Sequence, residues 1–95
     1  MNYELEFNIS ADKEWRKLDN SIREIFKKKL SERLLMPRVE SSRLSGLSDC
    51  YKIKLRDSGF RLVYQVIDNR LVIVVIAVGK RENSLVYRLA DERVN

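Results

Sequence analysis

Three basic side chains share one face of a predicted strand: Lys52, Lys54 and Arg56. They alternate with apolar residues, and a strand places alternate side chains on opposite faces of its sheet. The turn signal at 57–59 pairs this strand with residues 60–67, so that Lys54 lies directly opposite Arg61. Like charges in direct opposition destabilise a sheet by roughly a few tenths of a kcal/mol, a cost that a bound anion would offset. The pattern is compatible with an anion-binding surface, but for this pair alone the favoured interpretation is a solvated strand face that tolerates the repulsion.

Further candidates for chemistry lie in the last quarter of the chain: Lys80, Arg81 and Tyr87. Arg81 is also typical of an ordinary loop cation, and Tyr87 of an aromatic ring at the rim of the core. The run 27–29 is Lys-Lys-Lys on the outer face of a predicted helix, which is typical of solubility or of secondary electrostatic attraction. Trp15 is predicted to be a core residue because its helical spacing places it with Ala11 and Leu18. Cys50 is also predicted to be in the core, since a lone thiol without histidine has no activating base.

The composition limits the chemistry that these residues could perform. The 95 residues include 19 basic and 14 acidic side chains, one cysteine and no histidine, with a formal net charge of +5. Without histidine, Ser-His-Asp and Cys-His catalysis, histidine-based RNA cleavage and imidazole zinc sites are excluded. A single cysteine forms no intrachain disulfide and favours a reducing compartment. The positive balance favours an anionic partner, either nucleic acid or an acidic protein.

The apolar pattern predicts one α+β domain over residues 1–95. A hydrophobic fraction of 44% is enough for one core. No apolar run approaches the ~20 residues that a membrane span needs, and the first residues lack a secretory signal pattern, so we expect a cytoplasmic protein without membrane association.

The element order is expected to be β-α-α-β-β-β-α, forming a mainly antiparallel four-stranded sheet with an N-terminal helical hairpin and a C-terminal helix, and with the helices on one face. Ser10 is predicted to cap the first helix, Pro37 to end the segment of the second, and Ser84 to cap the third. The second helix has an apolar stripe that includes Ile25, and the third has Val86, Leu89, Ala90 and Val94. The strands are predicted at 3–8, 50–55, 60–67 and 71–78, the last of them central because it is apolar on both faces.

Several segments together resemble the RelE family of toxin–antitoxin ribonucleases. The strongest are Asp-Cys-Tyr-Lys-Ile-Lys-Leu-Arg at 49–56, Gly-Phe-Arg-Leu-Val-Tyr at 59–64, Val-Gly-Lys-Arg-Glu at 78–82 and Val-Tyr at 86–87. Lys-Glu-Trp-Arg-Lys-Leu at 13–18, Lys-Lys-Lys-Leu at 27–30 and Pro-Arg at 37–38 also look like that family. The resemblance extends over essentially the whole chain, and it implies the RelE/ParE-like, microbial-RNase-like fold.

The resemblance implies a bacterial, cytoplasmic toxin that enters the ribosomal A site and cuts the mRNA codon there. The implied partners are a RelB-like antitoxin, the ribosome with its 16S rRNA, and mRNA; operator DNA would be contacted only indirectly, through the antitoxin complex. The implied catalytic residues are Lys52, Lys54, Arg61, Arg81 and Tyr87. The implied contacts to RNA or ribosome are Arg43, Arg56, Phe60, Lys80, Lys27, Lys28 and Lys29. No metal or other cofactor is expected.

The chain departs from the family pattern at Ser45, Phe60 and Asn83. Ser45 precedes Gly46 where the family often has arginine, and we expect Arg43 to compensate. Phe60 replaces a common tyrosine, which keeps a ring for stacking but removes a hydroxyl. Asn83 stands where the family can have an arginine, which reduces the positive charge.

RNA cleavage by attack of its own 2′-hydroxyl needs a base, charge stabilisation of the phosphorane and a partner for the leaving 5′-oxygen. Lys54, or alternatively Tyr87, is the candidate base, Arg61 suits the phosphorane, and Arg81 suits the leaving oxygen. Such weak acid–base groups predict dependence on the ribosome for substrate alignment. The alternatives are a same-fold toxin that inhibits DNA gyrase, whose relatives lack this set of residues, and a non-catalytic module that binds RNA or an acidic protein.

Overall fold

The computed structural model describes residues 2–80, 82 and 84–94, and its element order is the predicted one. The strands are β1 (Glu4–Phe7), β2 (Cys50–Leu55), β3 (Phe60–Ile67) and β4 (Val72–Lys80). The helices are α1 (Ile9–Arg16), α2 (Asn20–Leu35) and α3 (Leu85–Val94), with short 3-10 turns at Glu40–Ser42 and Asp68–Arg70. Within the described residues, no helix combines the length and the apolar character that crossing a membrane requires.

The first helix begins earlier than predicted, because Asn8 and not Ser10 is its cap. The Asn8 side chain accepts hydrogen bonds from the backbone N–H groups of Ser10, at 2.9 Å, and Ala11, at 3.3 Å. Asn8 immediately follows β1, so its short amide side chain is placed to satisfy the first free N–H groups of α1.

The second helix also differs from its predicted stripe at one position. Phe26 and Leu30 are buried, but Ile25 is 45% exposed. Phe26 and Leu30 are four residues apart and therefore lie above one another on the face of α2 that packs against the sheet. Ile25 is displaced by one residue from that line and faces outward.

The four strands lie in the order β1-β4-β3-β2, so β4 is internal as its apolar sequence predicts. β1 is parallel to β4, and the other two pairings are antiparallel. The predicted hairpin register is confirmed, with Leu55 opposite Phe60 and Lys54 opposite Arg61. Gly59 has φ +77° and donates its N–H to the carbonyl of Leu55 at 2.9 Å, which closes the turn in a conformation that glycine adopts readily.

The expectation that all helices share one face is wrong. α1 and α2 cover the first face of the sheet, where Phe26 and Leu30 pack with Ile53, Leu62 and Tyr64. α3 covers the second face: its buried residues are Val86 and Ala90, and they pack with Cys50, Val63 and Ala77. The strand β4 is apolar on both faces because both faces are covered. α3 therefore lies on the same side of the sheet as Lys52, Lys54 and Arg61.

Two stacked tyrosines in the core of the first face differ in the hydrogen bonding of their hydroxyl groups. The rings of Tyr51 and Tyr64 are 5.7 Å apart and both side chains are fully buried. The Tyr64 hydroxyl donates to the carbonyl of Pro37 at 2.7 Å and accepts from Nη1 of Arg33 at 2.7 Å. The Tyr51 hydroxyl has no hydrogen-bond partner among the described residues.

We expect Tyr64→Phe to lower the free energy of unfolding by about 1–3 kcal/mol, because it leaves the Pro37 carbonyl and the Arg33 guanidinium without their partner. Tyr51→Phe removes a hydroxyl that has no such partner and should be neutral or stabilising. Urea denaturation of both variants measures the difference, and equal losses would contradict the bonding described here.

Candidate active site

A cleft of about 550 Å³ opens on the second face of the sheet, between β2, β3 and α3. Lys52 and Lys54 of β2 and Arg61 of β3 form its floor, and Tyr87 of α3 forms part of its wall. Glu82, Ser84, Leu85 and Val86 complete the lining. The structure thus brings together four of the residues that sequence analysis singled out for catalysis, while the fifth, Arg81, lies outside the described residues.

Arg61 is the most constrained cation of the cleft. It is only 8% exposed and lies opposite Lys54 in the β2–β3 register. Its Nη1 donates to the carbonyl of the adjacent Phe60 at 3.2 Å, and no carboxylate of the described chain forms a salt bridge with it. Burying a guanidinium without a carboxylate costs free energy, which an anion in the cleft would recover. The arrangement is therefore suited to bind a phosphate group.

The N-terminal end of α3 is held close to the sheet at Gly79. A methyl group on Gly79 would lie 3.4 Å from Cγ2 of Val86, an ordinary van der Waals distance, so Val86 packs directly over this position of β4. The N–H of Leu85 donates to the carbonyl of Glu82 at 2.8 Å, and the N–H of Arg88 to that of Ser84 at 3.1 Å. Val86 is buried by this contact, and its neighbour Tyr87 is left half-buried over the cleft.

A second groove, of about 380 Å³, shares Lys52 and Lys54 with the cleft and extends toward α2. Its other cations are Lys29, Arg33 and Arg56, and Ser41, Ser42, Glu32 and Ile53 also line it. Arg56 and Lys29 are therefore near the cleft, as the predicted RNA contacts require. Lys29 is exposed, as predicted for the run 27–29, and it differs from Lys27 and Lys28 in lining this groove.

Sequence analysis missed Arg33, which lies in this groove and also supports the core. Its Nη1 donates to the Tyr64 hydroxyl at 2.7 Å, and its guanidinium lies 5.7 Å from the centre of the Tyr64 ring. The helical spacing contained the signal, because residue 33 is three positions after the buried Leu30 and so lies on the inward face of α2.

The other predicted RNA contacts lie elsewhere. Arg43 is paired with Glu40 through two hydrogen bonds, of 3.3 and 3.2 Å, and lines neither the cleft nor the second groove. Phe60 and Lys80 lie on the first face, where the Lys80 ammonium is 5.8 Å from the centre of the Phe60 ring. Lys27 and Lys28 are exposed and line neither the cleft nor the second groove.

The two residues assigned to the core are confirmed there. Cys50 is fully buried, and burial raises the pKa of its thiol to about 11, so it offers no thiolate nucleophile at neutral pH. The Trp15 ring lies between Phe7, at 5.2 Å, and Phe26, at 6.2 Å between ring centres, and takes part in packing on the first face.

Comparison with known proteins identifies the family. A family model described as the ParE toxin of the type II toxin–antitoxin system, parDE, matches residues 5–85. The mRNA interferase toxin RelE of Escherichia coli strain K12 is 58% identical over 94 residues, which cover 99% of each chain. The chain belongs to the RelE family of toxins.

Two solved structures agree with that assignment. A free E. coli RelE toxin with two arginines replaced by alanine is 57% identical, covers 100% of both chains and gives a TM-score of 0.92. The toxin in the intact E. coli RelBE toxin–antitoxin complex is 59% identical over 85% of this chain and 99% of that one, with a TM-score of 0.82. The predicted RelE family and α+β fold are therefore both confirmed.

Proposed function

We propose that this chain is the toxin of a type II toxin–antitoxin pair and an mRNA interferase that cuts messenger RNA in the ribosomal A site. The observation that carries the proposal is the cleft itself, in which two lysines, a buried arginine and a tyrosine converge in a chain 58% identical to an mRNA interferase toxin RelE. A cationic cleft of this kind is suited to the developing negative charge of phosphodiester cleavage.

In the proposed reaction, the 2′-hydroxyl of the substrate attacks the adjacent phosphorus and expels the 5′-oxygen of the next nucleotide. Arg61 is fixed in charge and held by its strand, so it stabilises the phosphorane. Lys54 lies directly opposite and takes the 2′-hydroxyl proton as general base. Lys52 adds positive charge on the same strand, and Tyr87 bounds the cleft from α3. Arg81, outside the described residues, is assigned to the leaving oxygen.

The ribosome supplies what this cleft lacks. Proton transfer by a lysine is less favourable at neutral pH than transfer by histidine, so the reaction depends more on in-line placement of the 2′-oxygen. The A site would fix the codon in that geometry while the cleft supplies charge. The chain would act in the bacterial cytoplasm, where translating ribosomes are found.

The second groove is proposed as part of the surface that the toxin presents to RNA on the ribosome. We expect Lys29→Gln to weaken ribosome association more than Lys28→Gln, because Lys29 lines the groove together with Lys52 while Lys28 is exposed and does not line it. Both losses should grow smaller as salt rises, since released counterions drive such binding. Binding at two salt concentrations and single-turnover cleavage at saturating ribosomes make the comparison. A hundredfold fall in the saturated cleavage rate of Lys28→Gln would instead place the outer lysines in the active site.

A RelB-like antitoxin is the proposed inhibitor, with operator DNA reached only through the toxin–antitoxin complex. A net charge of +5 attracts an acidic partner, and α3 is a short helix of 10 residues that carries Tyr87. We expect antitoxin binding where α3 packs to change the amide hydrogen exchange of residues 85–92 relative to the free toxin. Unchanged exchange over that segment would leave exclusion from the ribosome as the mode of inhibition.

The matching family model names a ParE toxin, so a gyrase-inhibiting toxin of the same fold is the second candidate. The convergent Lys52, Lys54, Arg61 and Tyr87 favour RNA cleavage. Induction of the wild type and of Arg61→Gln in bacterial cells separates the two. We expect new mRNA 5′ ends by primer extension with the wild type only, and unaltered plasmid supercoiling. Relaxed plasmids without new mRNA 5′ ends would support inhibition of DNA gyrase instead.

A further inference from the structure

A partly buried ion pair joins the last turn of α3 to α1. Arg93 donates from Nη1 to Oε1 of Glu14 at 2.9 Å and from Nη2 to Oε2 at 2.8 Å. The side chains are only 17% and 25% exposed, respectively. Two parallel hydrogen bonds between a guanidinium and a carboxylate fix both side chains in one geometry, unlike a single contact between mobile surface charges.

The same two side chains also bind the backbone of β4 at its bulge. The β3–β4 pairing runs from Val63 opposite Ala77 to Tyr64 opposite Val75, and it leaves Ile76 without a partner on β3. Arg93 Nη1 donates to the carbonyl of Ile76 at 2.8 Å, and the N–H of Val78 donates to Oε1 of Glu14 at 3.2 Å. A bulge disrupts the regular ladder locally, and here side chains of α1 and α3 supply hydrogen bonds to it.

The remaining attachment of α3 is apolar packing on the second face, to which the partly buried Tyr87, Leu89 and Val94 also contribute. It buries Val86 near its beginning and Ala90 near its middle, and a helix of 10 residues is not stable by itself in water. Tyr87 precedes Arg93 by six residues, which is about 9 Å along the helix axis. The pair at Arg93 therefore fixes the end of α3 opposite to the one that reaches the cleft, and so fixes the direction of the helix.

We infer that Glu14 and Arg93 are positioning residues of the active site: through the β4 bulge they hold α3 so that Tyr87 stays over Lys54 and Arg61. This inference rests on the proposed function, because it assigns Tyr87 a place in the cleavage reaction. The two residues lie outside the cleft lining, so they act through α3 and have no contact with RNA in this role.

The test compares Arg93→Gln and Glu14→Gln with Arg88→Gln, an exposed arginine on the same helix. We expect Arg93→Gln and Glu14→Gln each to lower the saturated rate of mRNA cleavage on the ribosome by about 10-fold. The apparent KM for ribosomes should stay within about twofold of wild type. The double variant should lose no more than either single variant, since each already breaks the pair. Arg88→Gln should match wild type. Unchanged saturated rates in both the Arg93→Gln and the Glu14→Gln protein, or a rise in KM alone, would overturn the inference.

The dependence on Tyr87 is tested by placing Arg93→Gln in a Tyr87→Ala background. If the pair acts by positioning Tyr87, the second change should cost less than about twofold there. A full additional 10-fold loss, or undiminished cleavage by Tyr87→Ala alone, would overturn the inference. Amide exchange of residues 85–92 in the free variants should be faster for Arg93→Gln than for Arg88→Gln. That measurement needs no ribosome, so it tests whether the Glu14–Arg93 pair holds α3 independently of whether the proposed function is correct.

Discussion

Arg61→Gln is expected to lower the saturated rate of mRNA cleavage on the ribosome by about 10²- to 10³-fold, the largest effect of any single change in the cleft. Arg61 is 8% exposed and held on an internal strand, so its charge is oriented before substrate arrives. Glutamine keeps a hydrogen-bond donor on a shorter side chain but removes the charge that stabilises the phosphorane. Single-turnover cleavage with programmed ribosomes in excess measures the effect without contribution from binding.

The matched control is Arg70→Gln, which makes the same chemical change at an exposed position paired with Glu6. That variant should cleave like wild type. Arg61→Gln should also unfold at the same urea concentration as wild type or a higher one, because it removes a buried cation that faces Lys54. A strongly destabilised Arg61→Gln protein with normal cleavage by its folded fraction would show that Arg61 is structural.

Lys54→Arg is the second change with a large expected effect, a loss of about 10²-fold in the saturated cleavage rate. Arginine retains the positive charge of Lys54, but it does not release its proton at neutral pH and so cannot serve as a general base. The substitution therefore separates electrostatic stabilisation from proton transfer. Tyr87→Phe, which keeps the ring and removes the hydroxyl, should reduce the rate less than Lys54→Arg does.

The control makes the same substitution at Lys13, an exposed lysine of α1. Lys13→Arg should leave the saturated cleavage rate unchanged. Normal cleavage by Lys54→Arg together with severe loss in Tyr87→Phe would reverse the assignment and make the tyrosine the base. The sequence leaves the choice between them open, and we propose Lys54 because it lies directly opposite Arg61 in the same cleft.

The floor of the cleft could be predicted from the sequence because it depends on local rules. Strict alternation in β2 and a short turn fix the β2–β3 register, and with it the opposition of Lys54 and Arg61. The position of α3 could not be predicted in the same way. An apolar stripe on a helix shows that the helix packs, but not which face of the sheet it covers.

The bulge at Ile76 determines which face of the sheet carries Lys80. Ile73 and Val75 pack on the first face and Val74 on the second, as simple alternation requires. Ile76 and Ala77 then both pack on the second face, so Val78 returns to the first. Beyond the bulge the alternation is shifted by one residue, which places Lys80 beside Phe60 and leaves Gly79 beneath Val86. No turn or periodicity signal in the sequence marks this bulge.

We propose that this cleft cuts mRNA and that the ribosome aligns the substrate for it. The most direct measurement incubates the purified toxin with one mRNA, either free or bound to ribosomes with an empty A site, in the same magnesium-containing buffer, and maps the 5′ ends by primer extension. We expect cleavage within the A-site codon of ribosome-bound mRNA, nearly intact free mRNA, and no new ends with Arg61→Gln. Efficient cutting of free mRNA, or intact mRNA on the ribosome, would contradict the account.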